Sequence, residues 1–235
     1  MRLRVIGAGR AGGSLATALA AAGWEVAGSL GRHDDPTDAA TDVDLLVIAT
    51  PDGAIAEVAR SVAPRDDTVV MHLAGSLGLD VLAPHRRRAA LHPLVALPDP
   101  AVGAERLRGA WFAIAGDPIV EQVVADLAGR SFVVEDEDRA RYHAAACIAS
   151  NHLVALLAQV ERIGSDIGVP FDAYLDLVRA TVANVAQLGP RDAITGPAAR
   201  GDWDTVARHR AALDPRELAV YDAMVDAIRR LVEDP

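Results

Sequence analysis

The chain has 235 residues, of which 51% are hydrophobic, and its formal net charge is −10. This length suits one large domain or two small ones, and the negative charge argues against a nucleic-acid partner. The single cysteine, Cys147, excludes an internal disulfide and a cysteine-based zinc cluster. No apolar run reaches the roughly eighteen residues of a membrane span, so we expect a cytoplasmic protein. We also expect no bound metal. All 23 basic residues are arginine, which excludes any mechanism that needs a lysine.

The first motif is a glycine turn between a predicted strand and a predicted helix. Residues 3–6 are apolar, residues 14–22 are strong helix formers, and Gly7, Gly9 and Gly12 form the pattern G-x-G-x-x-G between them. Gly7 allows the tight turn, Gly9 lets a pyrophosphate approach the backbone, and Gly12 lets the helix pack close to the strand. A dinucleotide phosphate is therefore expected at the helix N-terminus. The predicted contacts in this turn are Gly7, Gly9, Arg10, Ala11 and Gly12.

The end of the second predicted strand selects the cofactor. An acidic residue there binds the ribose of NAD, whereas an arginine accommodates the 2′-phosphate of NADP. Ser29 and Arg32 lie where that phosphate would be, and Asp34 and Asp35 follow slightly later. Because a guanidinium holds a phosphate with two parallel hydrogen bonds, the sequence favours NADP. The two aspartates keep NAD open as the alternative.

The next segment is shorter than in an ordinary dinucleotide-binding half. Only residues 36–43 precede the apolar strand predicted at 44–50, so a helix and a strand are reduced to a loop. A helix follows, with Asp52 as its predicted N-cap. Further strands are predicted at 67–75, 89–97, 110–116 and 131–136, with a helix at 117–128. This alternation predicts an α/β domain with a reduced, mostly parallel Rossmann sheet.

From Asp136 onward the pattern is entirely helical. One long amphipathic helix is predicted at 138–168, a second at 171–189, a third at 203–212 with Asp202 as its cap, and a last one from Pro215. The sequence therefore predicts two domains, a Rossmann-like domain at 1–135 and an all-α domain at 136–235. The second is expected to bind substrate and to form a homodimer.

A row of polar side chains lies on the long helix. His143, Cys147 and Asn151 are four residues apart, with Ser150 beside them, and the surrounding residues are small or apolar. A polar row on a packed helix costs stability unless it is satisfied or used. We therefore predict that His143, Ser150 and Asn151 line a catalytic site and that Cys147 serves packing.

Three further side chains are candidates for substrate binding. His92 and His72 each lie at a predicted strand end, where α/β folds place their sites. Arg200, in the loop "TGPAARGD", carries a guanidinium whose shape matches a substrate carboxylate. The alternative for Arg200 is an ion pair with a nearby acid.

The chain resembles a known superfamily of reductases that join a Rossmann domain to a helical domain. The superfamily includes 6-phosphogluconate dehydrogenase, pyrroline-5-carboxylate reductase and ketopantoate reductase. The resemblance is nearest to a branch with a helical C-terminal domain of unknown function. It is carried by "GAGRAG" (7–12), "PD" at Pro51 and Asp52, "LHPL" (91–94), "YHAAACIASN" (142–151) and "TGPAARGD" (195–202). It implies that Thr50 and Pro51 also contact the cofactor.

The chain departs from this superfamily where chemistry is concerned. The superfamily places a lysine on the long helix, and this chain has none; Ala74 also stands where the branch often has serine. His143 is then the natural proton donor on that helix, because histidine titrates near neutral pH.

The resemblance and the residues together predict an NADP-dependent reductase of a small carbonyl acid. The substrate that the resemblance favours is ketopantoate, in pantothenate biosynthesis. One alternative is an imine or hydroxy-acid oxidoreductase of the same superfamily. Another is a dinucleotide-binding sensor or structural protein that has lost catalysis.

Overall fold

The computed structural model describes residues 1–233, and a seven-stranded sheet organises the first part of the chain. The strands are β1 (Arg2–Ile6), β2 (Glu25–Leu30), β3 (Leu45–Ile48), β4 (Val69–His72), β5 (Arg88–Pro93), β6 (Trp111–Gly116) and β7 (Arg130–Val133). Their order in the sheet is β2-β1-β3-β4-β5-β6-β7. Every neighbouring pair is parallel except β5 and β6. The predicted mostly parallel α/β class is confirmed.

Four helices accompany this sheet: α1 (Arg10–Ala21), α2 (Asp52–Ser61), α3 (Pro100–Leu107) and α4 (Ile119–Asp126). Every residue of β3 and of β4 is buried, which explains why these strands read as continuous apolar runs. Two apolar clusters form the core. One includes Leu15 and Leu19 of α1, and the other includes Ile55 and Ala59 of α2.

The predicted loss of a helix and a strand after β2 agrees with the structure. No helix or strand lies between β2 and β3, and turns fill that interval. The Arg4 side chain on β1 donates to the backbone carbonyls of Ala39 (2.8 Å) and Thr41 (3.1 Å). Thr68 donates to the carbonyls of Ala40 and Val43. These bonds satisfy loop carbonyls that a regular element would have paired.

The remaining elements are helical. They are α5 (Arg139–Cys147), a π-helical turn (Ile148–His152), α6 (Leu153–Asp166), α7 (Phe171–Leu188), α8 (Pro190–Ala193), α9 (Pro197–Arg200), α10 (Trp203–Ala212) and α11 (Pro215–Glu233). The predicted cap of α10 is present, since the Asp202 carboxylate accepts from the Thr205 backbone N–H at 3.1 Å. Within this helical part, Arg162 pairs with Glu217 through two hydrogen bonds of 2.8 and 2.9 Å.

The structure corrects several predicted details. Asp52 is the first residue of α2 and not its cap, because Pro51 occupies the cap position and no side chain bonds the helix end. Helix α3 was not predicted; Asp99 caps it by accepting from the backbone N–H groups of Ala101 and Val102. The long helix is interrupted by the π-turn. A four-residue spacing assumes a continuous α-helix, so the predicted stripe holds for His143 and Cys147 only.

The chain divides into two compact units, residues 1–150 and 151–235. The sequence placed the division at 135, where the helical half begins. The structural division lies one helix later because α5 contacts residues at the carboxyl ends of the sheet strands, as described below.

One helical stretch, Asp136–Asp166, has the length and mean hydropathy (1.3) that a membrane-spanning helix requires. A single such stretch is weak evidence, since core helices of other proteins meet the same criterion.

Candidate functional site

A pocket of about 590 Å³ lies at the carboxyl ends of β1 and β3. The glycine turn, the loop after β2 and the start of α2 form its walls. Its lining residues are Ile6, Gly7, Gly9, Gly31, Arg32, Asp34, Pro36, Ala49, Thr50, Pro51, Ala54 and Val58. The structure thus brings together the predicted cofactor contacts Gly7, Gly9, Arg32, Thr50 and Pro51.

The glycines of the turn differ in what surrounds them. Gly7 has φ +91°, and a Cβ there would lie 2.8 Å from the Ala49 carbonyl oxygen. Only glycine fits that backbone without strain. A Cβ at Gly9 would meet no atom within 4 Å, so the space beside Gly9 is open to a ligand. The turn therefore combines one glycine required by the fold with one that leaves room beside the pocket.

Four predicted cofactor contacts lie outside the pocket lining. Gly12 is buried, and a Cβ there would strike the Gly7 carbonyl oxygen, so its role is close packing of α1 on the sheet. Ser29 is exposed on β2, and Arg10 and Ala11 form the first turn of α1.

Two polar side chains of the pocket have no partner among residues 1–233. The Thr50 hydroxyl is buried without a hydrogen bond, and Arg32 makes no ion pair. Asp34, by contrast, accepts the Gly31 backbone N–H at 2.7 Å. A buried hydroxyl without a partner costs free energy unless a ligand supplies one. The pocket therefore fits a dinucleotide, with the Thr50 hydroxyl as its unsatisfied buried group and the exposed Arg32 guanidinium at its wall.

A second group of side chains meets at the carboxyl ends of β4 and β5. The Nδ1 atom of His92, on β5, lies 2.6 Å from the hydroxyl oxygen of Tyr142, on α5. The His92 and His143 rings meet edge to face with their centroids 5.7 Å apart. The centroids of the Phe132 and Tyr142 rings are also 5.7 Å apart. We call His92, Tyr142 and His143 the histidine–tyrosine cluster.

Gly75, which follows β4, gives this cluster its space. A Cβ at Gly75 would lie 2.6 Å from Cδ2 of His143 and 3.0 Å from Nε2 of His92. Both imidazoles therefore occupy volume that any other residue at this position would fill. Nε2 of His92 makes no hydrogen bond with residues 1–233 and lies close to Gly75.

Burial controls the charge of His92 and Tyr142. Burial, with smaller contributions from the nearby charges of His143 and Arg139, lowers the pKa of His92 to about 4. Burial also raises the pKa of Tyr142 to about 12. At neutral pH both side chains are therefore uncharged, and their hydrogen bond joins a neutral phenol to a neutral imidazole.

His72 has a structural role, which corrects the expectation that it contacts substrate. It is fully buried, and its Nδ1 accepts the Ala74 backbone N–H at 3.2 Å. Its Nε2 must then carry the proton, and it donates to the Gly78 carbonyl at 3.2 Å. Both nitrogens are used by the turn after β4, and burial lowers the pKa of His72 to about 4.

Arg139 is a buried cation next to this cluster. Its side chain is fully buried, and Nε lies 3.3 Å from the Asp136 carboxylate, which also accepts the Leu79 backbone N–H at 3.1 Å. None of its guanidinium nitrogens makes a hydrogen bond with the described residues. Its positive charge lowers the pKa of both His92 and Tyr142. Arg139 therefore disfavours a second positive charge on the cluster.

The pocket and the cluster are neighbours within the first unit. Pro51 lines the pocket, and the next residue, Asp52, accepts a hydrogen bond from the Ser76 hydroxyl at 3.3 Å. Ser76 follows Gly75, which contacts His92 and His143. The strand register explains this proximity, because Ile6, Ile48 and His72 are paired across β1, β3 and β4. Residues that follow these strands must meet at one edge of the sheet.

The other predicted site residues are not in this group. Ser150 and Asn151 lie in the exposed π-turn, and Arg200 is exposed at the end of α9. The proposed roles of these three residues remain predictions. Sequence reasoning also missed Tyr142 and Arg139, although both lie in or beside the motif that carries the resemblance. A tyrosine directly before His143 was the available signal.

The end of the sheet region and most of the helical part match a known domain profile. Residues 112–228 match the sequence profile of a domain of unknown function, DUF2520. No curated protein sequence matches the chain.

Solved structures share the fold over nearly the whole chain. A Bacteroides fragilis protein, provisionally named an NADP oxidoreductase, has a TM-score of 0.83 at 22% identity and covers 97% of this chain and 98% of its own. Protein TM1727 from Thermotoga maritima has a TM-score of 0.72 at 24% identity, with 98% of each chain covered. Pyrroline-5-carboxylate reductase from Streptococcus pyogenes has a TM-score of 0.67 at 15% identity, covering 97% and 98%.

These similarities agree with the predicted resemblance to reductases with a helical C-terminal domain. Residues 112–228 match the DUF2520 profile, and the chain shares its fold with the Bacteroides fragilis protein and with the Streptococcus pyogenes reductase.

Proposed function

We propose that this protein is an NADPH-dependent oxidoreductase that reduces a small carbonyl acid. One observation carries the proposal: a pocket built on a glycine turn lies next to a cluster of neutral proton-bearing side chains. Asp52 and Ser76 connect the two across 3.3 Å. Hydride transfer needs a bound nicotinamide beside a proton source, and this edge of the sheet provides space for both.

The pocket supports NADP as the cofactor. Arg32 lines it and has no ion-pair partner among residues 1–233, whereas the Asp34 carboxylate is occupied by the Gly31 N–H. An unpaired guanidinium suits a 2′-phosphate, and an occupied carboxylate is a poorer partner for a ribose hydroxyl. The Bacteroides fragilis protein of the same fold is also named for NADP.

Bound NADPH would supply the hydride, and the protein must supply the proton. The carbonyl oxygen gains negative charge as the hydride arrives, and a positioned acid accelerates such a step by about 10²–10⁴-fold. His92, His143 and Tyr142 are the proton-bearing groups gathered at the strand ends. We propose that His143 helps to orient the substrate. Ser150 and Asn151 remain proposed contacts without further support.

Ketopantoate is the first substrate to test, because the sequence resemblance includes ketopantoate reductase. Imines are the second class, since the Streptococcus pyogenes enzyme with this fold is a pyrroline-5-carboxylate reductase. Arg200 is retained as the proposed carboxylate ligand for either class. The rival function is a dinucleotide-binding protein without catalysis, for which the absence of any lysine is the main argument.

The test has two stages. NADPH and NADH are first titrated against the protein by fluorescence. NADPH oxidation is then followed with ketopantoate, other 2-keto acids and cyclic imines, and NADP⁺ reduction is followed with 3-hydroxy acids. Tight NADPH binding with turnover on one class supports the proposal. Binding without turnover on any class favours the sensor, and a lack of binding refutes both.

We also propose that the protein is a cytoplasmic homodimer joined through its helical part. Helices α7 and α11 have no buried residues, and Leu177 and Leu188 on α7 are 63% and 51% exposed. Apolar surface of this kind on a helix face marks an interaction site. Light scattering should give the mass of two chains, and Leu177→Glu should give one. Gln187→Glu makes the same charge change on α7 and should leave the dimer intact.

A further inference from the structure

We propose that His92 is the proton donor of this site, acting through Nε2, and that Tyr142 resupplies the proton through Nδ1. This relay rests on the proposed reductase function. The Tyr142 hydroxyl lies 2.6 Å from Nδ1 of His92, which is the distance of a strong hydrogen bond. Nε2 of His92 lies close to Gly75, since a Cβ there would be 3.0 Å from it, and Nε2 has no hydrogen-bond partner among residues 1–233.

Chemistry sets the direction of this hydrogen bond. A phenol is a stronger acid than the N–H of a neutral imidazole, so the Tyr142 hydroxyl donates and Nδ1 of His92 accepts. A neutral imidazole carries one proton, which must then be on Nε2. The proton is therefore held on the nitrogen that has no hydrogen-bond partner among residues 1–233.

His92 suits this task better than His143. A catalytic imidazole is normally oriented by a third group that fixes its tautomer. His92 has that group in Tyr142. Among the residues that the structure describes, the one side-chain contact of this kind at His143 is between its Nε2 and the Cys147 sulfur at 3.8 Å, which is a weak interaction. Because the ring of His143 meets the His92 ring edge to face, His143 serves to restrict the position of His92.

The relay balances in protons and electrons. The carbonyl carbon accepts a hydride, and the electron pair of the C=O π bond moves to the oxygen. That oxygen takes the proton from Nε2 of His92, and the N–H electron pair stays on the imidazole. Nδ1 takes the proton of the Tyr142 hydroxyl, which leaves a phenolate. Nδ1 then returns its proton to the phenolate, and Nε2 takes one proton from solvent water, which restores the phenol and the first tautomer.

The surroundings favour a neutral imidazole, and one neighbouring charge offsets part of the cost of a transient phenolate. The charged and titratable groups near His92 are Arg139 and His143 from α5, Asp52 from α2 and His72 from β4. The buried guanidinium of Arg139 opposes a positive charge on His92 and stabilises a negative charge on Tyr142. Arg139 is therefore a positioning residue for the relay rather than a donor.

The first experiment needs no substrate. Long-range ¹H–¹⁵N correlation spectra of histidine-labelled protein report which ring nitrogen carries the proton, and His92→Gln identifies the His92 signals. We expect the Nε2–H tautomer in the wild type at pH 7. Tyr142→Phe keeps the ring but removes the hydroxyl, so a mixture of tautomers should appear. An Nδ1–H tautomer in the wild type would overturn the relay whatever the kinetics show.

The second experiment measures turnover with the substrate class found in the panel. His92→Gln should lower kcat by about 10²-fold or more, and Tyr142→Phe should lower it by at least about 10-fold with unchanged NADPH affinity. The chain offers a matched control. The Tyr221 hydroxyl bonds Nδ1 of His209 at 2.9 Å in the second unit, so Tyr221→Phe removes an equivalent pair and should leave kcat unchanged.

The outcomes separate the two proposals. Near-normal kcat in His92→Gln or Tyr142→Phe would refute the relay while leaving the reductase in place, and His143 would then be the donor. A wild type that binds no NADPH would refute the reductase, and the relay with it. Arg139→Lys keeps the positive charge and should retain more activity than Arg139→Gln. In Arg139→Gln, kcat should change by a larger factor than KM.

Discussion

The nucleotide pocket and the histidine–tyrosine cluster lie at the same edge of one sheet but are built in different ways. One wall of the pocket is the glycine turn, whose residues follow one another in the sequence. The cluster is formed by side chains from β5 and α5, fifty residues apart in sequence for His92 and Tyr142. A site made of local backbone is encoded by a short motif. A site made of distant side chains becomes visible only when the strands are in register.

The largest effect of a substitution is expected at the glycine turn. Gly9→Val should abolish NADPH binding, because the new side chain fills the space that a pyrophosphate needs. The fold should remain, since a Cβ at Gly9 meets no atom within 4 Å. Gly12→Ala is the counterpart, because its Cβ would strike the Gly7 carbonyl and should cost about 1–3 kcal/mol of stability. Fluorescence titration and thermal unfolding distinguish the two effects; unchanged NADPH affinity in folded Gly9→Val would refute the pocket assignment.

The first-half architecture and the cofactor pocket could be predicted because apolar runs and glycine spacing are local signals. The cluster could be predicted only in part. His92 and His143 were named separately, but the pairing of His92 with Tyr142 depends on how α5 meets β5. Helix propensity also could not reveal the π-turn at Ile148–His152, since its residues are ordinary helix formers and small polar residues. The assignment of Ser150 and Asn151 to one stripe assumed a continuous α-helix, which the π-turn interrupts.

Acid should destabilise the fold through His72, whose ring bonds the backbone of the turn after β4. Burial lowers its pKa to about 4 from an ordinary value of 6.5. The unfolded chain therefore takes up a proton before the folded one as the pH falls, and stability is lost between pH 6.5 and 4. The loss is on the order of 3 kcal/mol. Urea unfolding at pH 7 and pH 4.5 should show a smaller pH dependence in His72→Gln than in the wild type. Equal pH dependence in both proteins would contradict the buried, neutral state of His72.

Cofactor choice tests the side-chain part of the pocket. Arg32→Ala should narrow the preference for NADPH over NADH by roughly ten- to a hundredfold, because a charge-assisted bond to the 2′-phosphate contributes about 1.5–3 kcal/mol. Arg230→Ala removes the same charge from an exposed site on α11 and should leave the preference unchanged. A wild type that prefers NADH would contradict the role of Arg32 and direct attention to Asp34.

The smallest expected effect on stability is the sharpest test of the cluster. Gly75→Ala adds one methyl group that would lie 2.6 Å from Cδ2 of His143 and 3.0 Å from Nε2 of His92. Both rings can turn away, so we expect a stability loss of only about 1 kcal/mol. Turnover should fall much further, since the methyl would displace Nε2 of His92 from its position, while NADPH affinity should stay normal. Gly53→Ala, on α2 with no atom within 4 Å of the added Cβ, is the control for a glycine replaced by alanine near the pocket. Thermal unfolding and steady-state kinetics on both variants decide the matter. Normal turnover in Gly75→Ala would mean that the position of the His92 ring has no catalytic use.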